Sequence, residues 1–390
     1  MKSIVAQHFD FAIAGSGLAG LMLAYKLIQK KGFGDKRILL IDGTAKDKND
    51  RTWCFWQKPD SRWSALIKQQ WEGAIFKSER GLLRLNLSPF TYQMIQATDF
   101  YDHVLSTLKA QSNVFFLKDL VQKIDDRGNQ VKISTKASGV VTATKVFSSL
   151  WSADDIKKQQ QFPYLKQHFK GWFVRTKNPI FDPGYMTFMD FSVPQNGNTR
   201  FMYVLPFSPQ EALVEYTLFS EDLLTVSEYE TAIESYLKEN KSGSFEILEK
   251  EQGNIPMTVY PFYQKNTKNV LHIGTAGGWT KASTGFTFNK TDRETDKLLS
   301  FLDTQKDFKD FYKKNRFDFY DLLILDVLHK NNALGSEIFS AIFQKNKPEK
   351  VLRFLDEQTT LWEDFQIIWS CPKRPFILAF WKRLRSGMFA

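Results

Sequence analysis

"FDFAIAGSGLAGLMLAYKLIQKKG", residues 9–32, decides the fold. An apolar run through Ala14 reads as a strand, glycines interrupt it, and apolar residues then recur at helical spacing from Leu18 onward. Gly15, Gly17 and Gly20 form G-x-G-x-x-G, and "RILLID" (37–42) supplies a second strand that ends in an acid, Asp42. The flanking strands and helix separate a dinucleotide site from chance glycines. Gly15 permits the tight turn, Gly17 lets a pyrophosphate approach the backbone, and Gly20 lets the helix pack closely on the strand. The helix start, with Ser16, Leu18 and Ala19, would receive the pyrophosphate on its free amides. Asp42 would accept hydrogen bonds from the adenosine ribose. The expectation is a Rossmann-like α/β domain.

The rest of the chain builds around that unit. Residues 51–110 read as short loops carrying Trp53, Trp56, Trp63 and Trp71, closed by a helical stretch around "TDFYDHVLSTL". Residues 113–149 return to strand alternation, with a turn at 127–129. A second β-rich region runs from about 170 to 250 and includes a helix at "SEYETAIESYL". "NVLHIGTAGGWTKASTGFTFNKT" (269–291) reads as a strand, a glycine-rich loop and a helix start, and the residues beyond it look helical throughout. This pattern predicts a discontinuous nucleotide domain (1–60, 110–155 and 256–300), an inserted β-sheet substrate domain (61–109 and 156–255) and a helical C-terminal region (301–390). The fold class is α/β with an α+β insertion.

Composition narrows the function. The 390 residues include 53 basic and 43 acidic side chains, a formal +10 that favours anionic surfaces. No basic-aromatic repeat or zinc-finger spacing supports nucleic acid as the partner. Two cysteines, Cys54 and Cys371, give no disulfide framework and no metal-ligand spacing, so no metal is expected. Nothing in the sequence sets an oligomeric state. The 35 Phe, 10 Trp and 13 Tyr suit either ordinary core packing or a tunnel for a long apolar ligand whose ring faces stabilise a cation. Trp53, Trp56 and Trp279 fit core or pocket equally well. No signal peptide is recognisable and no uncharged run is long enough to span a bilayer, so a non-spanning protein is expected. Residues 371–390 hold Lys373, Arg374, Lys382, Arg383 and Arg385 interleaved with Phe376, Ile377, Leu378, Phe380 and Trp381. Such an end suits an anionic membrane interface, and a solvated helix face has nearly the same composition.

One residue stands out. In "LVEYTLFS" (213–220) Glu215 lies in the middle of an apolar strand. An edge-strand glutamate facing water is one explanation. A carboxyl held in an apolar pocket, with its pKa raised so that it can donate a proton, is the other.

Beyond the glycine motif, "DRTWCFW" (50–56), "VLPFSPQEALVEYT" (204–217) and "HIGTAGGWTKASTGFTF" (272–288) resemble segments of the lycopene cyclase family, a branch of the flavoproteins that include aromatic hydroxylases and geranylgeranyl reductases. The resemblance spans nearly the whole chain. It implies a FAD-binding domain of the aromatic-hydroxylase type, active with reduced FAD and NAD(P)H as the electron source. It implies lycopene and related acyclic carotenoids as substrates, β-rings as products, and peripheral contact with the cytoplasmic side of the inner membrane.

The resemblance also assigns residues. Glu215 aligns with the family's essential acid-base glutamate, with Glu215 or the flavin as the immediate proton donor. Tyr216 stands where the family carries a second acid, which argues against any mechanism needing paired carboxylates and narrows the acid to Glu215 or the reduced flavin. Arg51 would hold the flavin phosphate or the pocket wall, unless it is a surface arginine. Gly274, Gly277 and Gly278 would bring backbone amides to the pyrophosphate and isoalloxazine, and Thr284 and Gly285 would line the flavin edge. Thr275 follows Gly274 where flavin hydroxylases usually carry Asp, which favours the cyclase branch. The rivals are a flavin monooxygenase, an isoprenoid reductase and a non-catalytic carotenoid-binding flavoprotein.

Overall fold

The computed structural model describes residues 7–59, 62–304 and 306–385. The chain opens with β1 (His8–Ala14), α1 (Leu18–Gln29), β2 (Ile38–Asp42) and β3 (Thr52–Gln57). It continues through β4 (Gln69–Trp71), β5 (Gly73–Ser78), β6 (Gly81–Asn86), β7 (Thr91–Gln96) and α2 (Ala97–Lys109). Then follow β8 (Val114–Lys118), β9 (Val121–Asp126), β10 (Val131–Thr135), β11 (Val140–Ser148) and the short α3 (Asp154–Lys157). The central region holds β12 (Leu165–Thr176), β13 (Tyr185–Asp190), β14 (Thr199–Pro206), β15 (Glu211–Ser220), α4 (Val226–Glu239) and β16 (Phe245–Met257). After β17 (Val270–His272) the helices are α5 (Phe288–Leu302), α6 (Arg316–Lys330), α7 (Gly335–Lys345), α8 (Pro348–Leu355), α9 (Leu361–Ser370) and α10 (Lys373–Arg385).

The strands form three sheets. In the first, β8, β2, β1 and β11 run parallel, β17 joins β11 in parallel, and β10 and β9 extend the edge antiparallel. Its inner strands are buried on both faces, as parallel strands covered by helices require. α1 lies on one face, and its buried Lys26 ammonium pairs at 2.8 Å with both Asp292 and Asp296 of α5. The second sheet runs β16-β12-β15-β14-β13-β5-β6, and the third is β3-β7-β4.

Two expectations change. The stretch 51–110 is not mainly loop: it supplies β3 to β7, whose Trp53, Phe55, Trp71, Phe76 and Tyr92 bury their rings once the strands pair. The helix that closes it, α2, was grouped with the substrate domain. It packs instead on α1, with Phe100 and Val104 in the same core as Ile13 and Leu23.

The helical end is anchored by charge as well as packing. Arg383 of α10 is buried and grips Asp326 of α6, its Nε and Nη2 donating to the two carboxylate oxygens at 2.5 and 2.6 Å. Arg383 is therefore not part of a free basic face. Asp326→Ala would leave a buried guanidinium without its counter-charge and should cost about 3–5 kcal/mol. Denaturant titration should show that loss, with limited proteolysis cutting first in α10.

Candidate active site

The three sheets and the C-terminal helices enclose a cavity of about 510 Å³. One end is polar. Gly17, Leu18 and Ala19, at the N-terminus of α1, line it together with Arg51, Gly274, Thr275, Thr284 and Gly285. Gly15 closes the turn at φ +95°, and its amide donates to Ile41 O at 2.8 Å. A Cβ on Gly20 would fall 2.1 Å from Gly15 O, whereas one on Gly17 would meet nothing within 4 Å. Gly17 is thus the open approach, and Gly20 the point of close packing. No side chain caps α1, so its first amides are free to receive an anion.

The late loop leans on this turn. Gly274 has φ +59°, and a Cβ there would come within 2.9 Å of the Ala19 Cβ. Gly277 packs against the backbone of His272, and Gly278 closes the short turn at φ +76°. Two polar atoms in the cavity wall, Thr284 Oγ1 and Gln167 Oε1, are buried without a hydrogen-bond partner. Buried polar atoms of this kind call for a bound group. A glycine cradle, a free helix N-terminus and unpaired donors and acceptors together fit a dinucleotide.

Asp42 differs from its expected role. Its Oδ2 accepts from Ser16 N and Oγ at 2.7 and 2.8 Å, and its Oδ1 from Thr44 N and Oγ1 at 2.8 and 2.7 Å. Burial opposes ionisation, but these hydrogen bonds outweigh it and bring the carboxyl down to about 2. With its acceptor positions filled, Asp42 braces the turn instead of facing the ribose. Gly15, Ser16, Gly20, Gly277 and Gly278 likewise shape the cradle without lining the cavity. Arg51 lines it, and its guanidinium donates to Asp50 O.

The other end is aromatic. β15 turns Leu213, Glu215, Thr217 and Phe219 into the cavity, and Val214, Tyr216 and Leu218 pack beneath against Tyr229, Ile233 and Leu237 of α4. Glu215 and Tyr216 thus face opposite ways, as strand alternation requires. α7 and α8 close the cavity with Phe339, Ile342, Phe343, Val351 and Leu355. Trp53 lines it, whereas Trp56 and Trp279 are core.

Glu215 is only 8% exposed. Burial, reinforced by the charge of Glu251 and by a hydrogen bond with it, raises its pKa well above the usual carboxyl range. Glu251 was not singled out from sequence. It is brought in by β12: Gly171 pairs with Glu215 on one side and with Glu251 on the other. Thr52 Oγ1 donates to Glu251 Oε2 at 2.8 Å. Tyr203, the partner of Glu215 on β14, bonds Tyr92 at 2.8 Å between hydroxyls. Burial pushes Tyr203, Tyr92 and the neighbouring Cys54 up, so all three stay neutral.

The lycopene cyclase protein family model matches residues 10–380. The chain belongs to the lycopene cyclase family. Among curated relatives, a lycopene beta-cyclase of Pantoea ananas is 26% identical over 65% of this chain and 63% of its own length, just under two thirds of that protein. A lycopene beta-cyclase of a Paracoccus species is 23% identical over 71% and 69%. Among solved structures, a flavoprotein/dehydrogenase of Cytophaga hutchinsonii superposes with a TM-score of 0.61 at 14% identity, covering 98% of this chain and 100% of that one. A geranylgeranyl bacteriochlorophyll reductase-like protein of Thermoplasma acidophilum gives 0.57 at 11%, covering 93% and 96%. This chain's α/β architecture with an inserted sheet and a helical end is thus a fold shared with these proteins and with a flavin-dependent monooxygenase, PieE, at a TM-score of 0.61 and 12% identity over 96% of this chain and 72% of that one.

In this cyclase-family chain the glycine spacing is a steric requirement. Gly20→Ala should force the turn apart and cost about 1–3 kcal/mol. Gly17→Ala, with open space at its Cβ, should melt closer to the parent in a thermal scan followed by circular dichroism.

Proposed function

We propose that this chain is an enzyme, a FAD-dependent lycopene β-cyclase that converts the acyclic ends of lycopene into β-rings, giving γ-carotene and then β-carotene. The observation that carries the reading is a buried carboxyl, Glu215, set in the aromatic end of a cavity whose other end is a dinucleotide cradle. FAD would be held by the amides of the Gly15–Gly20 turn, by the Gly274–Gly278 loop, and by Arg51, Thr275, Thr284 and Gly285. When bound and reduced, with NAD(P)H as the electron source, it would supply negative charge able to stabilise a carbocation.

The remaining chemistry falls to the side chains. Ring closure begins when a proton adds to the terminal trisubstituted alkene. The π pair of a neighbouring double bond then attacks the tertiary cation, and a ring proton leaves. Nothing is oxidised or reduced overall. An alkene is a weak base, so the donor must keep its proton at neutral pH in a site without competing water. The apolar surroundings of Glu215 meet both needs, and its carboxylate can collect the departing proton. Phe188, Phe286 and Tyr203 line the same cavity, and aromatic rings can stabilise a developing positive charge.

Expression in a host that accumulates red lycopene tests this. Pigment chromatography should show β-carotene with the parent and a loss of about 100-fold or more in cyclised product with Glu215→Gln. Stoichiometric consumption of oxygen or NAD(P)H per product would instead mark a monooxygenase or reductase. An unchanged phenotype in Glu215→Gln would favour a non-catalytic carrier.

We also propose a peripheral position on an anionic membrane, at the cytoplasmic side of the inner membrane. Among the described residues no helix is long and apolar enough to cross a bilayer. Trp362, Phe365 and Trp369 stack along the exposed face of α9 at 5.6 and 5.5 Å. Ile377, Leu378, Trp381 and Leu384 continue the exposed apolar surface on α10, and Lys373 sits 3.8 Å over the Trp369 ring. An exposed aromatic face edged by cations suits an anionic interface. The double variant Trp362→Glu, Trp369→Glu should lose co-sedimentation with phosphatidylglycerol vesicles while keeping the parent's melting curve. Undiminished sedimentation would refute the placement.

A further inference from the structure

The family's adjacent second acid is missing here because Tyr216 occupies its place and points away from the cavity. The sheet supplies another carboxyl by register. On the three neighbouring strands β15, β12 and β16, Glu215, Gly171 and Glu251 form one row. Residues in one row of a sheet project from the same face, and two strand spacings separate the outer pair by about 10 Å between backbones. Two glutamate stems can close that gap only if the residue between them has no side chain. A Cβ on Gly171 would lie 2.7 Å from Glu215 Cγ and 3.2 Å from Glu251 Cγ, so both stems lean over the glycine.

We infer that Glu251 is the proton partner of Glu215, the two carboxyls holding a single proton between them above Gly171. The inference rests on the cyclase reading for its use in turnover, but not for its existence. Thr52 donates its hydroxyl to Glu251 Oε2 at 2.8 Å, which holds that carboxyl in place beside Glu215. Glu251 thereby acts as a positioning residue: it sets the protonation and orientation of the donor. Two like charges at this separation in an apolar wall cannot both persist at low cost.

That cost favours prompt recapture of a proton by the pair after the first transfer. The Glu215 O–H bond breaks as the proton forms a C–H bond at the alkene, leaving two adjacent carboxylates and a tertiary cation. The neighbouring π pair forms the ring C–C bond. The ring C–H bond then breaks, its electron pair becomes the ring double bond, and the proton returns to the carboxylate pair. One proton leaves, one is recovered, and the electron count is unchanged. The other titratable groups facing Glu215 are Cys54 from β3, Tyr92 from β7 and Tyr203 from β14, and these stay neutral, so the Glu251 charge is the one that changes the affinity of Glu215 for its proton.

The test uses the full-length, flavin-loaded protein and two readouts. Infrared titration of the protonated-carboxyl C=O stretch needs no turnover. The parent should show a band that Glu215→Gln removes and whose midpoint moves to lower pH in Glu251→Gln. A midpoint that stays put in Glu251→Gln overturns the shared proton. In lycopene turnover, Glu251→Gln should lower kcat about 10-fold or more with KM and flavin content unchanged, and the alkaline limb of the kcat profile should move to lower pH. Glu251→Asp, which restores the charge, should recover most of the rate and the limb. An unshifted limb and undiminished kcat in Glu251→Gln overturn the positioning role. A parent that forms no ring while its infrared midpoint still responds to Glu251→Gln sinks the cyclase reading and leaves the carboxyl pair standing.

Discussion

The site depends on the antiparallel register of β12 between β15 and β16. Because side chains alternate with a period of two, a slip of one residue would carry Glu215 to the α4 side and bring Tyr216 or Val214 into the cavity. The reverse face of β15 guards against that slip. Val214, Tyr216 and Leu218 are buried against α4, and the Tyr216 hydroxyl accepts from Arg200 at 3.3 Å. A slip would expose this apolar set to the cavity and bury a carboxyl among the rings of α4. The same packing that stabilises the sheet therefore fixes the carboxyl that the proposed chemistry uses as its proton donor.

The two ends of the cavity are electrostatic opposites. At the glycine end, free amides and the dipole of α1 favour negative charge, and Asp42 spends its own charge inside the turn, where Ser16 and Thr44 hold it. At the aromatic end the wall is mostly rings and aliphatic side chains around Glu215, and there a carboxyl does better to keep its proton. A single apolar wall thus supports an anionic group at one end and a neutral acid at the other, about as a carbocation reaction requires. The glycines and Glu215 are parts of one arrangement, although they lie far apart in sequence and on different sheets.

Much of this was legible in the chain. The turn around Gly15–Gly20 follows from strand, glycine and helix patterns that act over a few residues, and Glu215 was conspicuous because its apolar flanks contradict its charge. Glu251 was invisible for the opposite reason. In "FEILEKEQGNIPM" it is one acid among several on a strand with polar residues, and only the long-range pairing with Gly171 distinguishes it from Glu249 or Glu246. Asp42 was placed correctly at the end of β2, but its hydrogen bonds to Ser16 and Thr44 depend on how the loop folds back. The strands within 51–110 were missed because they are short and rings such as Trp71, between Gln70 and Glu72, and Tyr92, beside Gln93, do not look like a buried sheet until its partners are known.

The helical end links surface to site. α9 packs on α7 and α8, and Ile367 and Cys371 share a core with Phe339, Phe343, Val351 and Leu352. Phe339, Phe343 and Val351 also line the cavity. One helical layer therefore separates the exposed ladder of Trp362, Phe365 and Trp369 from the space beside Glu215. Moving a hydrocarbon from lipid into water costs roughly 25 cal/mol for every Å² of apolar surface exposed. A long polyene would face a prohibitive barrier if it had to cross an aqueous gap to reach an acid. On the proposed membrane placement, α9 lies directly against the helices that close the cavity, which would remove that gap and put an apolar layer between water and the cation.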